Sequence, residues 1–169
     1  LWLVDPLLVS MNSLQTQANT FAISNFTGVD DILFRYGVKL NTNLVTDMQC
    51  AKIPIVTGQY QNNTPQMTYY PWNFFPEISP NSNHIISDKI SPVKMEFASS
   101  IDTTNSPAKK TVLLSSSNRT RVLNSPVNVS LQMLKQKQDA SLFNSGAKDV
   151  AILLEGEFSS AFKNRLTPE

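Results

Sequence analysis

The sequence predicts an α/β fold, and three observations point there. A helix over residues 29–36 meets Gly37 and is followed at once by an alternating strand at 38–40, which is half of a β-α-β unit. The run Val150-Ala151-Ile152-Leu153-Leu154 is apolar on both faces, as strands in the middle of a covered parallel sheet are. With 169 residues, 41% of them apolar and 16% charged, the chain has enough apolar surface to bury one core without disulfide or metal staples.

The elements follow in order. Residues 1–4, Leu-Trp-Leu-Val, form an apolar run stopped by Asp5-Pro6, the pattern of an interior strand ending at a loop. Residues 7–26 are rich in Ser, Asn, Gln and Thr and read as a loop. In the helix at 29–36, Asp30 and Asp31 suit the positive end of the dipole, Ile32, Leu33 and Tyr36 share an apolar face, and Gly37 is the stop. Residues 38–40 and 44–45 alternate as strands do. Residues 51–57 are β-branched enough for a strand, which Pro54 sends to an edge or a bulge.

Residues 59–80 carry Tyr69-Tyr70-Pro71-Trp72-Asn73-Phe74-Phe75-Pro76. Prolines and rings at this density predict an ordered loop, its rings either packed on the body of the domain or offered as a contact surface. Beyond His84 the pattern is extended: strands at 93–98, 111–115 and 127–133, a short helix at 139–144, and the central strand 150–154 closed by Gly156. Residues 158–162, with Lys163 and Arg165, lead to a polar end. On this reading 1–82 form an α/β part with the aromatic loop, and 83–169 a β-rich part, of one fragment of a larger domain.

Charge and motif content exclude several chemistries. Fourteen basic residues balance 13 acidic ones and are scattered, so there is no electrostatic footprint for nucleic acid or an anionic membrane. A single cysteine excludes an internal disulfide and a multi-cysteine metal site. Cys50 and His84 are the one Cys-His combination on offer, but Cys50 lacks the strand-turn-helix context of a nucleophile, and His84 reads as a cap on Ile85-Ile86. His84 has no partner at metal-ligand spacing, and Asp30, Asp31 and Asp47 belong to no calcium-loop pattern. Neither glycine-rich phosphate motif occurs, so no cofactor is expected. Glu155, at the carboxyl end of the 150–154 strand, holds the position where open α/β sheets carry functional groups, although an inter-element hydrogen bond is the plainer role for it. No apolar run approaches the length of a membrane span, and there is no secretory leader pattern. Opening on Leu1, the chain is expected to start inside a larger gene product.

A string of unusual segments gives a family resemblance. These are Trp2-Leu3-Val4-Asp5, Leu33-Phe34-Arg35-Tyr36-Gly37-Val38, Leu44-Val45-Thr46-Asp47-Met48-Gln49-Cys50, and Tyr70-Pro71-Trp72 with Phe75-Pro76. Phe97-Ala98-Ser99-Ser100-Ile101-Asp102, Lys110-Thr111-Val112-Leu113-Leu114-Ser115-Ser116-Ser117 and Ala151-Ile152-Leu153-Leu154-Glu155-Gly156-Glu157-Phe158-Ser159-Ser160 complete the set. In this order, over nearly the whole chain, they resemble the GldG-like subunits of bacterial gliding-motility ABC transporters. The resemblance implies a Rossmann-like layered fold related to class I glutamine amidotransferases, without their catalysis and truncated in its N-terminal half. It also implies a domain at the periplasmic face of the inner membrane, anchored by segments outside this chain. Its partners would be an ABC-type ATPase and a polytopic permease. The expected function is that of a non-enzymatic auxiliary or substrate-binding module, with Tyr69, Tyr70, Trp72, Phe75 and Glu155 as the candidate contact residues. The alternative is a receptor for a sugar, peptide or anion, with a crevice near Asp5 and Glu155.

Overall fold

The computed structural model of the chain describes residues 1–17, 19–81, 83–136, 138–160 and 163; Phe162 and Arg165 of the expected C-terminal stretch lie outside the described residues. Every strand pairing among the described residues is antiparallel. Strands hold 44% of the residues and helices 13%, and the main sheet curls into a half-barrel. The expected α/β, Rossmann-like layered fold is therefore corrected to a mostly β architecture. A parallel sheet needs crossovers of a dozen or more residues, usually helices lying back on the sheet. The helix that suggested one has seven residues and leads into a strand of three, whose partner runs the other way.

The stretch expected to be a loop contains β1 (Leu7–Leu8), α1 (Met11–Thr16) and β2 (Asn19–Ser24). Ser10 caps α1, its Oγ accepting from Asn12 N at 3.2 Å, and Leu14 is buried. Along β2 the usual pattern is inverted: Ala22 faces the core while Phe21 and Ile23 face out. Residues 1–4 are not a strand, and Leu1, Trp2 and Leu3 are exposed. The first strand lies beyond Pro6 instead.

α2 (Asp30–Tyr36) forms where expected and ends at Gly37, whose φ of 117° is left-handed and whose N–H bonds Leu33 O at 3.0 Å. A Cβ at this position would also run into Ser106 Oγ. β3 (Val38–Leu40) and β4 (Asn43–Asp47) follow as read. The long hairpin of β5 (Cys50–Gln59) and β6 (Pro65–Pro80) comes next, then β7 (Val93–Lys94), β8 (Ile101–Thr103), β9 (Lys109–Ser115), β10 (Thr120–Asn124), β11 (Val127–Ser130) and β12 (Asp149–Glu155).

The strands pair as β1-β2-β11, as β10-β4, as β3-β8, and as β12-β9-β6-β5 with β7 on β6. All but the β1–β2, β5–β6 and β9–β12 hydrogen-bonded neighbours and β7 on β6 join an early strand to a late one. β12 ends its sheet and is half-buried, so the expected central position is corrected to a terminal one. β5 ends the same sheet on the other side, where Pro54 is tolerated.

The expected aromatic loop is the longest strand, interrupted at its centre. The β5–β6 register runs Lys52↔Pro71 and resumes at Cys50↔Pro76, so Ala51 faces four residues, 72–75. This bulge drives Trp72 (2% exposed), Phe74 and Phe75 into the core beside Leu44, Ile53 and Phe97. Trp72 and Phe74 have ring centroids 5.0 Å apart, and Phe75 meets Phe97 edge-on at 5.3 Å.

Asp47, fully buried at the end of β4, holds the β9–β10 turn. Its Oδ1 accepts from Gln49 N (2.8 Å) and Ser117 Oγ (2.6 Å), and its Oδ2 from Ser117 N (2.7 Å), with Thr120 Oγ1 at 3.0 Å. Its backbone O accepts from Asn73 Nδ2 at 2.7 Å, which fastens the aromatic bulge to the same residue. These partners are all uncharged, and between them they occupy both side-chain oxygens.

Asp47→Ala strands these donors in the interior and should cost about 3 kcal/mol of stability. Trp72→Ala should cost about 3–5 kcal/mol, the range for deleting a buried ring. Urea unfolding of both variants against the parent measures the losses; a change below 1 kcal/mol in either would refute the role assigned to that residue.

Candidate interaction surface

The β5–β6 hairpin beyond the bulge keeps one face on the core, and its two faces differ. Ile53↔Tyr70 and Ile55↔Thr68 point inward and are buried or half-buried. Lys52↔Pro71, Pro54↔Tyr69 and Val56↔Met67 point outward and are exposed, Tyr69 at 62%. The turn beyond is held by Tyr60 N to Thr64 O (2.9 Å) and by Asn62 Oδ1 accepting from Thr64 Oγ1 (2.6 Å), and Tyr60 is exposed there. From residue 53 to residue 76 there is no charged side chain. The result is an apolar ladder on a well-braced hairpin, with charge only at its root in Lys52 and Glu77.

The candidate contact residues are thus divided. Tyr69 lies on the exposed face, Tyr70 is half-buried on the opposite one, and Trp72 and Phe75 are core residues. Glu155 is on a distant part of the sheet, at the end of β12, where it pairs with its register partner Lys109 at 2.9 Å. That hydrogen bond and charge hold the Glu155 carboxyl below its ordinary pKa, and both side chains remain solvent-exposed. The plainer inter-element role is the one its geometry shows. Sequence reasoning missed Pro54, Val56, Met67 and Pro71 as members of the face; the usable signal was the charge-free run combined with strand alternation.

The two residues of the nucleophile idea have other partners. His84 Nδ1 accepts from Ile86 N at 3.2 Å, the capping role expected of it. Cys50, free and half-buried at the start of β5, has its thiol pushed up to about 11 by burial, against a smaller lowering from the Trp72 backbone N–H and further raising by Asp47 and Glu77. A thiol so disposed is protonated at neutral pH and a poor nucleophile. Among the described residues no three His, Cys, Asp or Glu side chains gather as metal ligands, and no helix is long and apolar enough to cross a membrane.

A cavity of about 250 Å³ lies between the C-terminal end of α2 and the segment after β12, where the Tyr36 and Phe158 rings meet edge-on at 5.1 Å. Arg35, Ser106, Ala108 and Ser159 complete much of its wall. Neither Asp5 nor Glu155 lines it; Asp5, ahead of β1, is tied through its backbone O to Asn25 Nδ2 at 2.8 Å.

A family model described as "ABC-type uncharacterized transport system" matches residues 1–169. No curated protein and no solved structure was found to match the chain.

The raised Cys50 pKa has a signed consequence. Alkylation by iodoacetamide in the folded chain should be slow at pH 8 and should accelerate with pH until about 11, whereas in urea the break should fall near the ordinary thiol value of 9.0. Because the unfolded thiol ionises first, this group's contribution to stability is intact below pH 9 and declines as pH rises towards 11. The same break in folded and unfolded chains would contradict the burial of the thiol.

Proposed function

The chain belongs to the ABC-type uncharacterized transport system family, and on that footing we propose that it docks onto a neighbouring subunit of its transporter through the charge-free face of the β5–β6 hairpin. The family makes it an auxiliary component of an ABC transport system. The observation that carries the docking role is the ladder of Pro54, Val56, Met67 and Tyr69, exposed on a hairpin whose opposite face is anchored in the core. A stable apolar face of this kind is a contact surface in search of a dry partner, and its role is binding rather than catalysis.

The partner of this reading is a polytopic permease subunit, with the ABC-type ATPase recovered in the same assembly. The domain works at the periplasmic face of the inner membrane, held there by segments outside the chain, and the transport system serves gliding motility. The segment resemblance to GldG-like subunits supports these finer assignments. Because the face carries no charge between residues 53 and 76, its affinity should depend little on salt.

The experiment is affinity purification of the tagged full-length gene product from gently solubilised membranes, with mass spectrometry of what accompanies it. The parent should bring down an ABC-type ATPase and a multispanning permease at both low and high salt. Tyr69→Ser combined with Met67→Ser should reduce that recovery by about tenfold while leaving the melting temperature unchanged, since both side chains are exposed. Equal recovery by parent and variant would remove the hairpin face from the interface. Recovery of the protein alone would remove the docking role altogether.

A further inference from the structure

We propose that Met67 is a peroxide-oxidation site, and that conversion of its thioether to the sulfoxide releases the β5–β6 face from its partner. The proposal rests on the docking reading above and names the chemistry that regulates the same face.

The five methionines are not equivalent towards an oxidant in solution. Met11 and Met133 are half-buried against the main core cluster, and Met95 against the second one. Met48 is half-buried as well, its sulfur 4.0 Å from Asn73 Nδ2. Met67 alone is exposed, at 52%, towards the outer end of the apolar ladder. The remaining sulfur, that of Cys50, is half-buried and its thiol is protonated at neutral pH, which makes it a slow competitor. One thioether therefore stands in solvent while the other sulfurs are held back.

The step is a two-electron oxidation by a peroxide. The Met67 sulfur attacks one oxygen of hydrogen peroxide, the O–O bond breaks, a sulfur–oxygen bond forms, and the other oxygen leaves as water with both hydrogens. Sulfur loses two electrons and the peroxide gains them. A thiol-driven methionine sulfoxide reductase reverses the change, the oxygen leaving as water while two thiols become a disulfide.

The position of the sulfur decides the consequence. Val56 lies across from Met67, and Pro54 and Tyr69 continue the same face. In the free chain the new sulfur–oxygen dipole stands in water, so the fold loses little. On docking, the oxygen must leave water for an apolar contact, and no charged side chain between residues 53 and 76 is there to receive it. Oxidation thus acts on docking and not on stability. The converse holds too: a docked face covers the sulfur, so the oxidant reaches undocked copies first.

The test uses the tagged full-length gene product, made in a host without its transport system and immobilised. It is treated with hydrogen peroxide, the peroxide is destroyed with catalase, and solubilised native membranes are then applied, so that only the bait is oxidised. Peptide mass mapping should show Met67 gaining one oxygen at least about fivefold faster than any other methionine of the chain. Once Met67 is fully converted, recovery of the ATPase and permease should fall about tenfold at an unchanged melting temperature, and should return after reductase treatment. Met67→Leu, whatever its starting recovery, should show no change on peroxide treatment. Oxidation spread evenly over the five methionines would overturn the site. Recovery unaltered by complete Met67 conversion, or a loss that Met67→Leu shares, would overturn the release while leaving the docking face in place. Absence of the partners from the untreated bait would overturn the docking reading and the release with it, and the mass map would still decide the site.

Discussion

The burial of one carboxylate organises this molecule. Asp47 ends β4 inside the protein, and an anion there is tolerable only if its oxygens are saturated with donors. The donors come from Gln49, just past the strand, and from Ser117 and Thr120, some seventy residues later. Meeting that demand fixes where the β9–β10 turn must sit, and with it the pairing of β10 against β4 from Thr120↔Asp47 to Asn124↔Asn43. The Asn73 amide, on the backbone O of Asp47, adds the aromatic bulge to the same knot. Turn, strand pair and bulge are thus positioned by a single residue, which has no ion-pair partner among the described residues.

The bulge explains how one strand serves two ends. Four residues of β6 facing one of β5 cannot remain in a flat ladder, and the surplus chain folds inward as Trp72, Phe74 and Phe75. Lys94 Nζ covers the Phe75 ring from outside at 5.2 Å. With its root so packed, the hairpin holds one face on the core and turns the other to solvent. Its outer face requires nothing from the fold, which leaves it available for apolar side chains that a core would otherwise claim.

Local features were legible in the sequence, and long-range ones were not. Helix α2, its stop at Gly37 and the edge position of Pro54 follow from chemistry within a few residues. The His84 cap is likewise a contact two residues long. Strand direction has no such signature: alternation looks the same in parallel and antiparallel sheets, so a helix followed by a strand reads as half of a crossover whichever way the strand pairs. β2 escaped notice because its large apolar residues, Phe21 and Ile23, face outward and its inward position is an alanine. The structural role of Asp47 has no local signature, since its donors Ser117 and Thr120 are remote in sequence. The aromatic run showed its rings and prolines plainly, but the four-against-one register that sends Trp72 and Phe75 inward while Tyr69 stays outside depends on the facing strand.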